Sequence, residues 1–178
     1  MLLLVLEICL ALLLAPIALA GLSLAPWVPT PSWDFARINR QLQLGKGSVF
    51  YELGCGEGRV CRYIAKANPE ARIIGIERAL PIYLIARLRQ CMHPLSNLRY
   101  MYGDVLKIDL SDADAVYTYA LIGTVNTKLK PKFVRELRPG CRIVSYNFAM
   151  RDWPWKHETE HPKNGRHAPL HVYEIQET

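Results

Sequence analysis

The sequence predicts an α/β protein whose mostly parallel sheet is covered by helices on both faces. Three observations support this fold class. From residue 48 onward, short apolar segments of strand length alternate with segments of helical periodicity. A glycine-rich turn follows the first of these strands, and a polar hairpin pattern near the carboxyl terminus predicts two antiparallel strands at one sheet edge.

Composition limits the chain to one folded domain behind an apolar leader. Its 178 residues, 51% hydrophobic and 21% charged, exclude disorder for most of the chain. All 22 lysine and arginine residues lie at or after Arg37. The resulting basic domain suits an anionic membrane surface or an acidic partner. The five cysteines are odd in number and form no CxxC pair, so we expect neither a disulfide scaffold nor a metal site.

Residues 1–25 are predicted to form an N-terminal transmembrane helix. The stretch 2–24 is almost continuously apolar, and a helix of that length spans roughly 35 Å. No basic residue precedes it, and the first one after it is Arg37. The positive-inside rule therefore predicts a single-pass membrane protein with a cytoplasmic domain. Ala18-Leu19-Ala20 resembles a signal-peptidase site, so a cleaved signal peptide is the alternative.

Residues 26–47 are predicted to be a proline-rich connector followed by a short helix. Three prolines make the first part extended, and Trp27 lies where tryptophans collect at a membrane interface. Ser32 or Asp34 can cap the short helix, which is expected to end at Leu44 before a glycine.

Residues 48–178 form the main predicted domain. Its strands are short and apolar, and are expected at 48–53, 71–76, 98–102, 115–120 and 141–147. The helices between them are expected at 59–67, 80–92 and 124–137. The carboxyl-terminal hairpin is expected to pair 156–160 with 169–175 around a turn at 164–165. Strands and helices in this order predict a Rossmann-like sheet.

The turn after the first strand predicts a ligand site. Its glycines allow a tight turn and close approach of a ligand, and they are Gly54, Gly56 and Gly58. A dinucleotide fingerprint would place its third glycine at position 59, which is Arg59, so a pyrophosphate ligand is disfavoured. Glu52, two residues before the first glycine, suits the cationic amino-acid end of a ligand, and we interpret Cys55 as a small residue of the turn.

The ends of the next two strands complete the predicted cofactor site. Glu77 can accept hydrogen bonds from both hydroxyls of a ribose. Asp104 can accept one from an exocyclic amine, beside an apolar wall formed by Val105. Singly, Glu77 could be a helix N-terminal charge and Asp104 a turn residue. In order, the strand ends match an amino acid, a ribose and an adenine, which predicts S-adenosylmethionine. Arg78 and Thr30 complete the predicted cofactor-binding set.

These motifs resemble those of class I, seven-strand methyltransferases, which share this fold and cofactor. The matching segments are 52–58, 75–77, 103–105 and 137–140. Val28–Pro31, Leu129–Lys132 and the tryptophans after the fifth strand resemble a small subfamily of protein lysine methyltransferases. That subfamily includes an archaeal broad-specificity enzyme and the mitochondrial enzymes that methylate ATP synthase subunit c and the adenine nucleotide translocase. The resemblance implies lysine as the acceptor, in a protein at or in a membrane.

Two departures from these patterns bear on the acceptor. Glu52 stands where many relatives have aspartate, which keeps the charge. Tyr117–Ala120 lacks the N-P-P-Y motif of amide and base methylators, which argues against glutamine, asparagine and DNA adenine as acceptors. We also expect no nucleic-acid partner. A lysine must lose its proton before it attacks, and aromatic walls favour the neutral amine. We therefore predict Tyr119, Asn147 and Trp27 as catalytic residues that line the acceptor channel. The alternative for Tyr119 is packing in the core. Asn147 could instead form a turn, and Trp27 could be an anchor at the membrane interface.

Three functions remain open from the sequence. The first is a protein lysine methyltransferase, the second a small-molecule or lipid methyltransferase, and the third a cofactor-binding module without catalysis. The intact acidic residues at the three strand ends weigh against the third.

Overall fold

The computed structural model describes residues 7, 28–155, 157–161 and 167–177. Apart from Glu7, the predicted anchor at residues 1–25 lies outside the described residues. Trp27 and the predicted hairpin turn at 164–165 also lie outside them.

The described part of the chain contains no helix that is long and apolar enough to cross a membrane. This finding contradicts the predicted localisation, a single-pass membrane protein with a cytoplasmic catalytic domain. The 13-residue helix Leu80–Met92 covers about 20 Å, whereas a bilayer core is about 30 Å thick.

Seven strands form one sheet, in the order β3-β2-β1-β4-β5-β7-β6. The strands are β1 (Val49–Leu53), β2 (Arg72–Glu77), β3 (Leu98–Tyr102), β4 (Ala115–Thr118), β5 (Arg142–Tyr146), β6 (His157–Glu160) and β7 (Leu170–Glu174). The first five are parallel, while β7 runs antiparallel to both β5 and β6. The predicted mostly parallel sheet with an antiparallel carboxyl-terminal hairpin is therefore confirmed.

In the described part of the chain, four helical segments cover the two faces of the sheet, and a short 3-10 helix, Ser32–Asp34, precedes the first of them. They are α1 (Phe35–Leu42), α2 (Arg59–Ala67), α3 (Leu80–Met92) and α4, which joins Ile122–Thr124, a π-helical turn at Val125–Leu129 and Lys130–Glu136. The first three pack into the core cluster of one face, which contains Phe50 and Tyr117. Residues of α4 pack on the other face beside Tyr51. The predicted coverage of both faces is confirmed.

Two local expectations differ from the structure. Asp34 occupies the N-cap position of α1 without a side-chain cap hydrogen bond, because other groups bind its carboxylate. The π-helical turn within α4 was not expected. There Lys130 donates its backbone N–H to the carbonyl of Val125, five residues back, and the next residue, Pro131, has no N–H to donate.

Strand β2 requires a glycine at its centre. A Cβ atom on Gly75 would lie 2.8 Å from Cys61 Sγ and 2.9 Å from both Cys55 Sγ and Tyr100 Cδ1. These three side chains pack directly against the backbone of Gly75, which leaves no space for a side chain at this position.

We predict that Gly75→Ala lowers the free energy of unfolding by about 1–3 kcal/mol, because the added methyl overpacks the core. Gly123→Ala is the control, since nothing lies within 4 Å of a Cβ there. It should raise the free energy of unfolding by about 0.5–1 kcal/mol. Urea denaturation measures both variants, and equal stabilities would contradict the packing argument.

Candidate active site

A cavity opens at the carboxyl ends of β1, β2 and β4, where the order of the parallel strands reverses. Nine of the ten predicted cofactor-binding residues line it: Glu52, Gly54, Cys55, Gly56, Glu77, Arg78, Asp104, Val105 and Thr30. The structure thus brings together three successive strand ends and the segment before α1.

The glycine-rich turn is held against β2 by backbone hydrogen bonds. Gly54 and Cys55 both donate their N–H groups to the carbonyl of Ile76, at 2.9 Å each. Gly54 and Gly56 have φ values of 80° and 55°, which side chains rarely adopt. The two glycines of the turn therefore present only backbone atoms to the cavity.

Gly58 differs from the other two glycines, because it does not line the cavity. A Cβ on it would lie 2.0 Å from Tyr100 Oη, and this hydroxyl donates to the Gly58 carbonyl at 3.0 Å. Gly58 is required where the start of α2 contacts β3, because a side chain there would collide with Tyr100. The sequence offers no local signal for that contact, since the two residues are 42 positions apart.

Glu52 is a buried carboxyl group with one described hydrogen bond. Its Oε2 accepts the backbone N–H of Cys61 at 2.8 Å. Burial raises the pKa of Glu52 to about 8, and the negative charge of Glu77 adds to this rise. A cationic group in the cavity would favour the ionised form and lower this pKa.

Glu77 is also buried, and each of its carboxylate oxygens accepts a backbone hydrogen bond. Oε1 accepts the N–H of Ala79 at 2.7 Å, and Oε2 accepts that of Gly56 at 2.9 Å. Each oxygen has a further lone pair for a ligand. The carboxylate is thus fixed in place at the wall of the cavity before any ligand binds.

The third strand end supplies an acidic and an apolar group. Asp104 Oδ1 accepts the N–H of Leu106 at 3.0 Å, and its Oδ2 lies 3.6 Å from Nη1 of Arg78. Val105 is buried. The Arg78 side chain is largely exposed, so this ion pair contributes little to stability.

Two tyrosines from the end of β4 form another part of the cavity wall. Tyr119 lines the cavity, as does Tyr117, whose hydroxyl lies 2.7 Å from Thr30 Oγ1. The Tyr119 ring packs edge-on against Tyr146 with 4.7 Å between ring centroids, and lies 6.4 Å from Phe148. Tyr117 was not predicted as a site residue, although it lies two positions before Tyr119, which is the spacing that places side chains on one face of an extended chain.

The two other predicted catalytic residues are Asn147 and Trp27. Asn147 does not line the cavity. It has a left-handed φ of 68° and donates its N–H to the carbonyl of Pro169 at 2.9 Å, which links β5 to the start of β7. Trp27 lies outside the described residues.

The family model of the ANTKMT methyltransferase domain matches residues 52–157, which is more than half of the chain. A protein-lysine N-methyltransferase from Saccharolobus islandicus (strain REY15A) is 29% identical over 158 residues, covering 85% of this chain and 94% of the relative.

Solved structures of methyltransferases share the fold. An RNA methyltransferase from Salinibacter ruber in complex with S-adenosyl-L-homocysteine is 29% identical, with a TM-score of 0.76 over 85% of this chain and 95% of its own. A precorrin-6y C5,15-methyltransferase from Geobacter metallireducens is 18% identical, with a TM-score of 0.67 over 83% and 89% of the two chains. The second likeness shows the fold alone.

The raised pKa of Glu52 predicts a pH dependence of stability in the ligand-free protein. Between its usual pKa of 4.5 and about 8, the folded state keeps a proton that the unfolded state releases. The free energy of unfolding should therefore fall as pH rises through this range. Glu52→Gln should flatten the fall, whereas Glu174→Gln, on an exposed side chain paired with Arg142, should not. Urea denaturation at several pH values tests this, and an unchanged slope in Glu52→Gln would contradict it.

Proposed function

The chain belongs to the ANTKMT methyltransferase domain family, and we propose that it methylates the ε-amino group of lysine in a protein. Its cofactor is S-adenosylmethionine. The observation that carries the choice of acceptor is the presence of Tyr117 and Tyr119 in the wall of this cavity, which we call the tyrosine wall. It is supported by the 29% identity to a protein-lysine N-methyltransferase.

The residues that line the cavity fit this cofactor. The carboxylate of Glu52 suits its ammonium group, and the prepositioned oxygens of Glu77 suit the two ribose hydroxyls. Asp104 and Val105 suit the amino edge and the ring of adenine. When bound, the cofactor supplies an electrophilic methyl group on a sulfonium. The protein itself has to hold the cofactor, align the acceptor and exclude water.

A lysine acceptor also has to be deprotonated, since its usual pKa is about 10.4. Among the described residues that line the cavity, none is a histidine that could serve as a base. We propose that the aromatic rings of Tyr117 and Tyr119 act by desolvation instead, because a poorly hydrated amine loses its charge more readily. Burial raises the pKa of Tyr117 well above its usual value, so its hydroxyl stays protonated and does not act as the base.

Other acceptors have less support. The Salinibacter relative is an RNA methyltransferase, but Tyr117–Ala120, at the end of β4, lacks the N-P-P-Y motif that base methylators use. A small-molecule or lipid acceptor would use the same cofactor site, and so it is an outcome of the test.

The test is transfer of tritiated methyl groups from S-adenosylmethionine into a cell extract by the full chain. We expect label in protein, released by acid hydrolysis as methyl-lysine. Glu77→Gln serves as the inactive control. Label that ribonuclease removes, that organic solvent extracts, or that remains in small molecules would contradict a protein-lysine acceptor.

We predict that Glu77→Gln weakens S-adenosylhomocysteine binding by about 10²-fold or more. An amide is a weaker acceptor than a carboxylate, at roughly 1.5–3 kcal/mol per charged hydrogen bond, and it has only one acceptor oxygen. Glu70→Gln is the matched control, because its side chain is 63% exposed and pairs with Lys46 at the opposite end of β2. Isothermal calorimetry measures both, and equal affinities would remove Glu77 from the cofactor site.

A further inference from the structure

A buried polar network lies behind the tyrosine wall, centred on Asp34. The Asp34 side chain is fully buried, and three groups donate to its carboxylate. Tyr146 Oη donates to Oδ2 at 2.7 Å, and Arg37 Nη1 donates to Oδ1 at 2.5 Å. His167 Nδ1 lies 2.7 Å from Oδ1, and since a carboxylate only accepts, this nitrogen carries the hydrogen.

The donors keep Asp34 ionised. Burial alone would raise its pKa, but the hydrogen bonds from Tyr146, Arg37 and His167 outweigh this effect and hold the pKa below its usual value. An ionised carboxylate binds the Tyr146 hydroxyl more strongly than a neutral acceptor would. This hydrogen bond therefore restrains the position of the Tyr146 ring.

The network extends from α1 to the carboxyl-terminal hairpin. Arg37 Nε donates to Glu160 Oε1 at 2.9 Å, and Gln41 Nε2 donates to Glu160 Oε2 at 2.7 Å. Arg37 Nη1 also donates to the carbonyl of Ala168 at 3.2 Å. Asp34 is thus held by groups from α1, from the end of β5 and from the segment before β7.

Tyr119 connects this network to the cavity. Tyr146 does not line the cavity, whereas Tyr119 does, and the two rings pack edge to face with 4.7 Å between centroids. The edge-on contact limits where the Tyr119 ring can lie. The ring centroid of Phe148 lies farther from that of Tyr119, at 6.4 Å.

We propose that Asp34 and Tyr146 are positioning residues for methyl transfer: their hydrogen bond holds the Tyr146 ring, which in turn fixes Tyr119 on the acceptor side of the cavity. The proposal rests on the proposed function of Tyr119.

The test is a double-mutant cycle on the rate of methyl transfer. Tyr146→Phe removes the hydroxyl and keeps the ring, and should lower the initial rate of tritium transfer by about tenfold. In a Tyr119→Ala background the same change should alter the rate by less than about twofold, because the ring through which Tyr146 acts is gone. Asp34→Asn should follow the same pattern.

Tyr51→Phe is the matched control. Tyr51 Oη also donates to an aspartate, Asp112 Oδ1, at 2.8 Å, but it packs on the other face of the sheet and does not line the cavity. Its removal should change the rate by less than about twofold in both backgrounds. Binding of S-adenosylhomocysteine to Tyr146→Phe, measured by calorimetry, should stay within about twofold of the wild type.

Three results would overturn the proposal. They are equal losses of rate from Tyr146→Phe in both backgrounds, no loss in either, and a loss of cofactor affinity that accounts for the loss of rate. If the label enters RNA, lipid or a small molecule, the protein-lysine function fails, and the same cycle run on that acceptor still decides whether Tyr146 acts through Tyr119.

Discussion

A buried carboxylate needs hydrogen-bond donors, and Glu77 finds two of them in the backbone N–H groups of Gly56 and Ala79. One donor belongs to the glycine-rich turn after β1 and the other to the segment that leads into α3. The carboxylate therefore fixes the turn relative to the end of β2, and the left-handed glycines make that path available. The cavity lies at these strand ends, where the order of the parallel strands reverses.

The two other buried carboxyl groups at the site show how the number of donors sets the charge. Glu52 has one described donor, and burial raises its pKa to about 8. Asp34 has three donors, two of them cationic or able to become so, and its pKa is lowered. The first group is ready to gain a cationic ligand, whereas the second is already satisfied by the protein.

Methyltransferases of this fold act on chemically different acceptors, including RNA and a precorrin in the relatives above. The cofactor side of the cavity is built from strand ends that the fold itself brings together. The rest of the cavity lining includes the end of β4 and the segment before α1, which meet at Thr30 and Tyr117. The fold by itself does not specify the acceptor.

The sequence by itself determined the parallel sheet, its antiparallel hairpin and the three acidic residues that line the cavity. These features are local: Glu52, Glu77 and Asp104 each stand at a strand end beside turn residues, so periodicity and spacing identify them. Only the tertiary structure decided the roles of residues with distant partners. Asp34, expected as a helix cap, bonds to Tyr146, 112 positions away. Gly58 is needed for Tyr100 rather than for the cavity wall, and Asn147 makes a backbone bond to the loop before β7. Such contacts depend on which helices and strands pack together, and a local sequence pattern does not predict that packing.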